Sequence, residues 1–249
     1  MGSAYFYLES LLALHELLSK SYANPAIVAL DYTLTPGASY PTQIFEAISG
    51  YYYTLSFVKG DASRVCIAGD SAGATIILGM LLELAQRGYA EMPRPAYAAL
   101  ISPWSVLENK EDRNTCSDYL NADILRQYGK DYAGAKATID DPLVFPGECE
   151  DLGWWARAAP TKGFHVAFGS EEILAPETRL LVERLRKAGI SVTVNEEVGG
   201  IHAWVIARLF LEETMEERVK GLKELVDALV VNLRPQHRLK DTLTSYERT

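Results

Sequence analysis

Cysteine is scarce in this 249-residue chain. Cys66, Cys116 and Cys149 are the only three, scattered and with no C-x-x-C pair, which excludes a disulfide framework and a thiolate metal site of the usual spacing. Basic residues are outnumbered, Lys+Arg 24 against Asp+Glu 33, and the net charge of −9 disfavours a nucleic-acid surface and repels anionic lipid headgroups. The start lacks both a basic segment leading into an apolar stretch and an unbroken apolar run of about 18 residues, because Glu9, His15 and Glu16 interrupt the first leucines. There is no internal repeat, and histidine occurs four times. As written, the chain reads as a soluble protein of a reducing, cytoplasmic compartment whose partner is a neutral or apolar small molecule and not a nucleic acid. What is abundant is core material, with 48% hydrophobic residues in a length that allows one large α/β domain.

The apolar patterning alternates between two kinds. Ala26–Leu30, Arg64–Ala68, Ala96–Ile101 and Gly163–Phe168 are continuous apolar runs of the sort fully covered parallel strands need, and Ser191–Glu197 is a weaker fifth. Between them lie helical patterns. Ser3–Lys20 carries Leu8, Leu11 and Leu12; Ile44, Ala47, Ile48, Tyr52 and Leu55 form one face; Ala72–Gln86 stops at Gly88. A further helix starts at Pro176 and ends at Gly189, and the last follows a capping box at Thr214–Glu217 and carries Val219, Leu222, Val226 and Leu229. Strands alternating with helices imply a mostly parallel sheet with helices on both faces. The connection from Ser102 to Lys162 is far longer than the roughly dozen residues a crossover needs. A cap-like insertion over about 105–160 is expected there, its aromatics Trp104, Tyr119, Tyr128, Trp154 and Trp155 suiting a lid or pocket wall. The tail, about 236–249, reads as loose.

Gly69-Asp70-Ser71-Ala72-Gly73 fits G-x-S-x-G between a strand and a helix, the setting of a nucleophile elbow. Ser71 is the candidate nucleophile, and the helix start behind it makes the N–H of Ala72 an oxyanion donor. Asp70 is a turn or network residue, since its side chain diverges from that of Ser71. Elbow enzymes order their triad as serine, acid, histidine along the chain. His15 lies on the first helix, His165 inside a strand and His237 beyond the last helix, which leaves His202, on a glycine-rich turn after the fifth strand. The acid belongs in the loop after the preceding strand, at Glu171 or Glu172, where a carboxylate would fix the imidazole tautomer and stabilise the imidazolium.

With these residues in place, the chain resembles the hormone-sensitive-lipase-like family of α/β-hydrolases, which includes bacterial esterases and fungal steryl-acetyl-hydrolase-like proteins. Asp31-Tyr32-Thr33-Leu34-Thr35-Pro36 is similar to the family's D-Y-x-L-x-P segment, Gly69–Gly73 to its G-D-S-A-G elbow, Ile101-Ser102-Pro103-Trp104 to its S-P-W, and Gly200-Ile201-His202-Ala203-Trp204 to its histidine turn. The resemblance covers nearly all of Gly2–Leu233 and implies an α/β-hydrolase fold with a partial cap. It selects Glu172, followed by Ile173-Leu174, as the acid. Asp70, Trp104, Tyr119 and Trp204 are expected about the substrate pocket. The family's His-Gly-Gly-Gly oxyanion loop precedes a Gly-Ser pair that Gly2-Ser3 resembles. The expectation is therefore that this loop and the first strands are missing, and that the chain alone is weakly active and prone to associate.

The reaction implied is hydrolysis of a carboxylic ester through an acyl-enzyme, without metal or organic cofactor. Two alternatives share the scaffold: a catalytically impaired fragment or ligand-binding protein, and an amide or formamide hydrolase.

Overall fold

The computed structural model describes residues 5–233 apart from 87–88, 90, 107–112, 136–137 and 139, so Gly2-Ser3, Gly88 and the tail after Gln236 lie outside the described residues. In chain order the elements are α1 (Leu8–Ser19), α2 (Thr42–Phe57), β1 (Cys66–Asp70), α3 (Ala72–Leu84), β2 (Tyr97–Ile101), α4 (Ala122–Ala133), α5 (Leu152–Ala158), β3 (Phe164–Gly169), α6 (Ala175–Lys187), β4 (Val192–Glu197), α7 (Trp204–Leu211), α8 (Met215–Arg218) and α9 (Lys220–Leu233). The strands form one parallel sheet in the order β1-β2-β3-β4. Its register aligns Asp70 with Ile101, Ile101 with Ala167, and Gly169 with Glu197, so the strands end together at one carboxyl edge.

Alternation along the strands builds two cores. Ala98, Leu100, Phe164, Val166 and Phe168 face α3, α5 and α6, whereas Tyr97, Ala99, Ile101 and Ala167 face α1, α7 and α9.

 On that second face the strand residues are thus Tyr97, Ala99, Ile101 and Ala167, which makes this a sheet covered on both sides. A third cluster packs α2 against the outer side of α3, through Ile44, Ile48 and Leu55 on Ile76, Met80 and Leu84. Among the described residues no helix is long and apolar enough to cross a membrane.

Three expectations change. Ala26–Leu30 joins no strand ladder, and Val28 and Leu30 stand 46% and 44% exposed. An apolar run supplies β propensity, but pairing needs a neighbour, and among the described residues the sheet ends at β1. On α2 it is Tyr51 that is buried and Tyr52 that faces out, because 44, 47, 48, 51 and 55 share the stripe that lies on α3. The long insertion also divides. Trp155 is fully buried in the main core, its Nε1 donating to the Cys149 carbonyl at 3.0 Å, and the Trp154 Nε1 donates to the Leu82 carbonyl at 2.9 Å. These two tryptophans seat α5 against α3 and line no lid. Among the described residues, the part around Asn114–Ala133, with Val144 and Phe145 behind it, lies beside the carboxyl edge.

Candidate active site

Gly69 permits the elbow after β1, since a Cβ there would stand 2.8 Å from the Gly73 carbonyl. Ser71 then takes φ 51° and ψ −120°, a left-handed conformation that costs a non-glycine residue about 1–3 kcal/mol. Its N–H donates to the Ile101 carbonyl at 2.9 Å, and its carbonyl accepts from the Trp104 N–H at 3.3 Å, which ties the elbow to the end of β2. The first N–H groups of α3, beginning with Ala72, have no partner within their own helix. Of the four non-glycine residues with positive φ among those described, three lie at this edge: Ser71, Ser102 and Ala203.

The loops after β3 and β4 are joined backbone to backbone. The Ser170 N–H donates to the Glu197 carbonyl at 2.9 Å and the Glu171 N–H to the Gly200 carbonyl at 3.0 Å. Gly169 permits this approach, because a Cβ on it would stand 2.1 Å from the Gly200 oxygen. Glu172 and His202 are carried inward by these loops, each 3% exposed, with Glu172 Oε2 3.9 Å from His202 Nδ1. Glu171 keeps to the solvent side. The other Glu172 oxygen and His202 Nδ1 are both buried without a hydrogen-bond partner.

Sequence reasoning assigned no role to the group that braces this pair. Ser102, fully buried, donates its hydroxyl to Glu172 Oε2 at 2.6 Å and accepts the Ala203 N–H at 2.9 Å. The Gly169 N–H adds a second donor to the same oxygen at 3.2 Å. Burial pushes the Glu172 carboxyl up to about 8, against the pull of these two donors. Burial also lowers His202, with Asp118 opposing, so the imidazole is held neutral and able to accept a proton.

The remaining expected residues separate. Asp70 accepts a hydrogen bond from the Tyr7 hydroxyl at 2.9 Å, a partner with no signal in the sequence because it lies on a distant segment. Burial raises the Asp70 carboxyl. Tyr119 stands over His202, its hydroxyl donating to the His202 carbonyl at 3.2 Å and its ring edge-on at 5.9 Å, while remaining 63% exposed. Trp104 is buried edge-on to Phe145, beside Ile173 and Leu174, and supports the elbow from below. Trp204 is 2% exposed in the second core, with the Arg208 guanidinium 5.5 Å and the Lys220 ammonium 5.8 Å from its ring. It anchors the turn of His202 and offers no face to a pocket. Among the described residues no cluster of His, Cys, Asp and Glu could hold a metal ion.

A family model described as the alpha/beta hydrolase fold matches residues 3–206. An acetyl-hydrolase of Streptomyces hygroscopicus is 30% identical over 190 residues, covering 73% of this chain and 58% of the relative. The chain therefore spans less than two thirds of that protein's length. Carboxylesterase NlhH of Mycobacterium tuberculosis is 25% identical over 226 residues, covering 86% of this chain and 68% of the relative. A solved hormone-sensitive lipase from a metagenome library superposes with a TM-score of 0.72 at 25% identity, covering 89% of this chain and 72% of the other. With its strained serine, buried acid and histidine turn on one sheet edge, the chain belongs to the α/β-hydrolase family, in its hormone-sensitive-lipase-like branch.

Proposed function

We propose that this chain carries the site of a serine carboxylesterase acting on small, apolar esters. Ser71 Oγ attacks the ester carbonyl while His202 takes its proton, and Glu172 steadies the imidazolium that forms. The oxyanion meets the Ala72 N–H at the start of α3. Collapse expels the alcohol, which leaves with the proton from His202, and an acyl-Ser71 ester remains. Water then attacks that ester, giving its proton to His202, and the acid departs as Ser71 is restored. Asp70 and Tyr119 border the substrate in this reading.

The observation that carries the proposal is the approach of two buried side chains, Glu172 Oε2 3.9 Å from His202 Nδ1, with that nitrogen and the other Glu172 oxygen each left without a hydrogen-bond partner. A buried polar atom left unpaired costs about 1–3 kcal/mol, and a closure of about 1 Å between Glu172 Oε2 and His202 Nδ1 would give the imidazole nitrogen its missing partner through a charge-assisted bond. The name carboxylesterase favours a carboxylic ester, and the name acetyl-hydrolase a short acyl group. The test is p-nitrophenyl acetate hydrolysis together with labelling by a fluorophosphonate. Ser71 should be the residue labelled, and Ser71→Ala should lower turnover by about four to six orders of magnitude. Labelling elsewhere, or activity surviving in Ser71→Ala, would defeat the reading.

A further inference from the structure

The non-helical segment before α4 lies across the two loops that carry the acid and the base. Thr115 Oγ1 donates to the Glu171 carbonyl at 3.1 Å and accepts the Asp118 N–H at 3.0 Å. Asp118 is 8% exposed and divides its carboxylate between the loops: Oδ2 accepts the Ile173 N–H at 2.9 Å and Oδ1 the His202 N–H at 3.3 Å. Tyr119 completes the span at the His202 carbonyl. We propose that Asp118 is a positioning residue, a carboxylate clamp that fixes the spacing of Glu172 and His202 and favours the charged imidazole as it forms. The proposal rests on the reading of those two residues as acid and base.

Residue chemistry explains why aspartate stands here. Two backbone donors on different loops need two acceptor oxygens on one short side chain, which asparagine lacks, and glutamate adds a methylene that would spread the loops. The charge has its own effect. Among the described residues, the ionisable groups touching His202 are Glu172 from the acid loop and Asp118 and Tyr119 from this segment, and Asp118 is the one that raises the proton affinity of a buried imidazole. Serving both loops, the clamp places the acid and the base with one side chain.

The test compares Asp118→Asn with Asp118→Ala. Asparagine keeps the shape and one acceptor but removes the charge, so kcat for p-nitrophenyl acetate should fall about tenfold with KM nearly unchanged, and Asp118→Ala should lose about a hundredfold. In protein labelled with 15N-histidine, the His202 titration midpoint should move down by about one pH unit in Asp118→Asn. Four histidines make its assignment simple, with His202→Asn as the reference. An unmoved midpoint in folded Asp118→Asn, or a lower melting temperature with no change in midpoint or kcat, would overturn the proposal. The midpoint is read on the resting protein, so it decides the clamp even if Ser71→Ala proves fully active and the esterase reading falls.

Discussion

Replacing Ser102 by alanine removes one oxygen and leaves the backbone as it was, since alanine tolerates φ 45° no worse than serine does. That oxygen serves two partners in a fully buried site where water cannot take its place: it donates to Glu172 Oε2 and accepts from the Ala203 N–H. A hydrogen bond to a largely neutral carboxyl contributes about 0.5–1.5 kcal/mol, and an orphaned buried N–H costs about 1–3 kcal/mol. Allowing for relaxation, the loss should be about 3 kcal/mol, or roughly 6–12 °C of melting temperature in a chain of this size. Activity should suffer separately. The Ser102 hydroxyl is the strongest of three influences holding down a carboxyl already pushed up to about 8, ahead of the Gly169 N–H and the Arg179 charge, so its removal moves Glu172 further toward the neutral acid and the ionised fraction at neutral pH falls. The alkaline rise of kcat/KM for p-nitrophenyl acetate should shift to higher pH, and kcat at pH 7 should drop about tenfold. Thermal melts and pH profiles of Ser102→Ala beside the parent make the check. A melting temperature within about 2 °C of the parent, with an unmoved pH profile, would refute the assignment of Ser102 as the brace.

Glu172→Gln should lower turnover by orders of magnitude and Glu171→Gln only mildly, measured by steady-state kinetics, because only the former faces the imidazole. The raised Glu172 carboxyl holds its proton more tightly folded than unfolded, so between pH 4.5 and about 8 it costs the parent stability as pH rises, and Glu172→Gln should lack that decline in denaturant titrations. His165 is buried in β3 with Nδ1 unpartnered and its pKa lowered to about 4, so the folded chain binds fewer protons there than the unfolded one. Stability should therefore fall by about 3 kcal/mol as pH drops from 6.5 to 4, and His165→Val should flatten that slope in pH-dependent melts. Gly169→Ala should destabilise the fold by several kcal/mol and reduce activity, since its Cβ would collide with the Gly200 carbonyl joining the acid and base loops. A variant that melts and turns over like the parent would contradict that contact.

The parts of this molecule legible in the sequence are those encoded locally. Continuous apolar runs located β1–β4 to within two residues, and Gly69–Gly73 was readable because an elbow needs small residues at fixed offsets. His202 emerged from the scarcity of histidine. Ala26–Leu30 misled because apolar character speaks for burial and not for a partner strand. Trp154 and Trp155 misled because aromatic rings suit a core as well as a pocket. Ser102, Asp118 and Tyr7 act through contacts 70, 84 and 63 residues away, and nothing in their local sequence names those partners.

The strands stand side by side in the order in which they are translated, and each hands its contribution to the same edge. Along the chain Ser71 follows β1, Ser102 follows β2, Glu172 follows β3 and His202 follows β4, so translation delivers His202 after the other three. On the proposed mechanism, Ser71 has no base to activate it until the segment after β4 has emerged. On that mechanism, synthesis from the N-terminus gives a growing chain structure before reactivity, and a product released before β4 would carry Ser71 as an unactivated alcohol on a partial sheet.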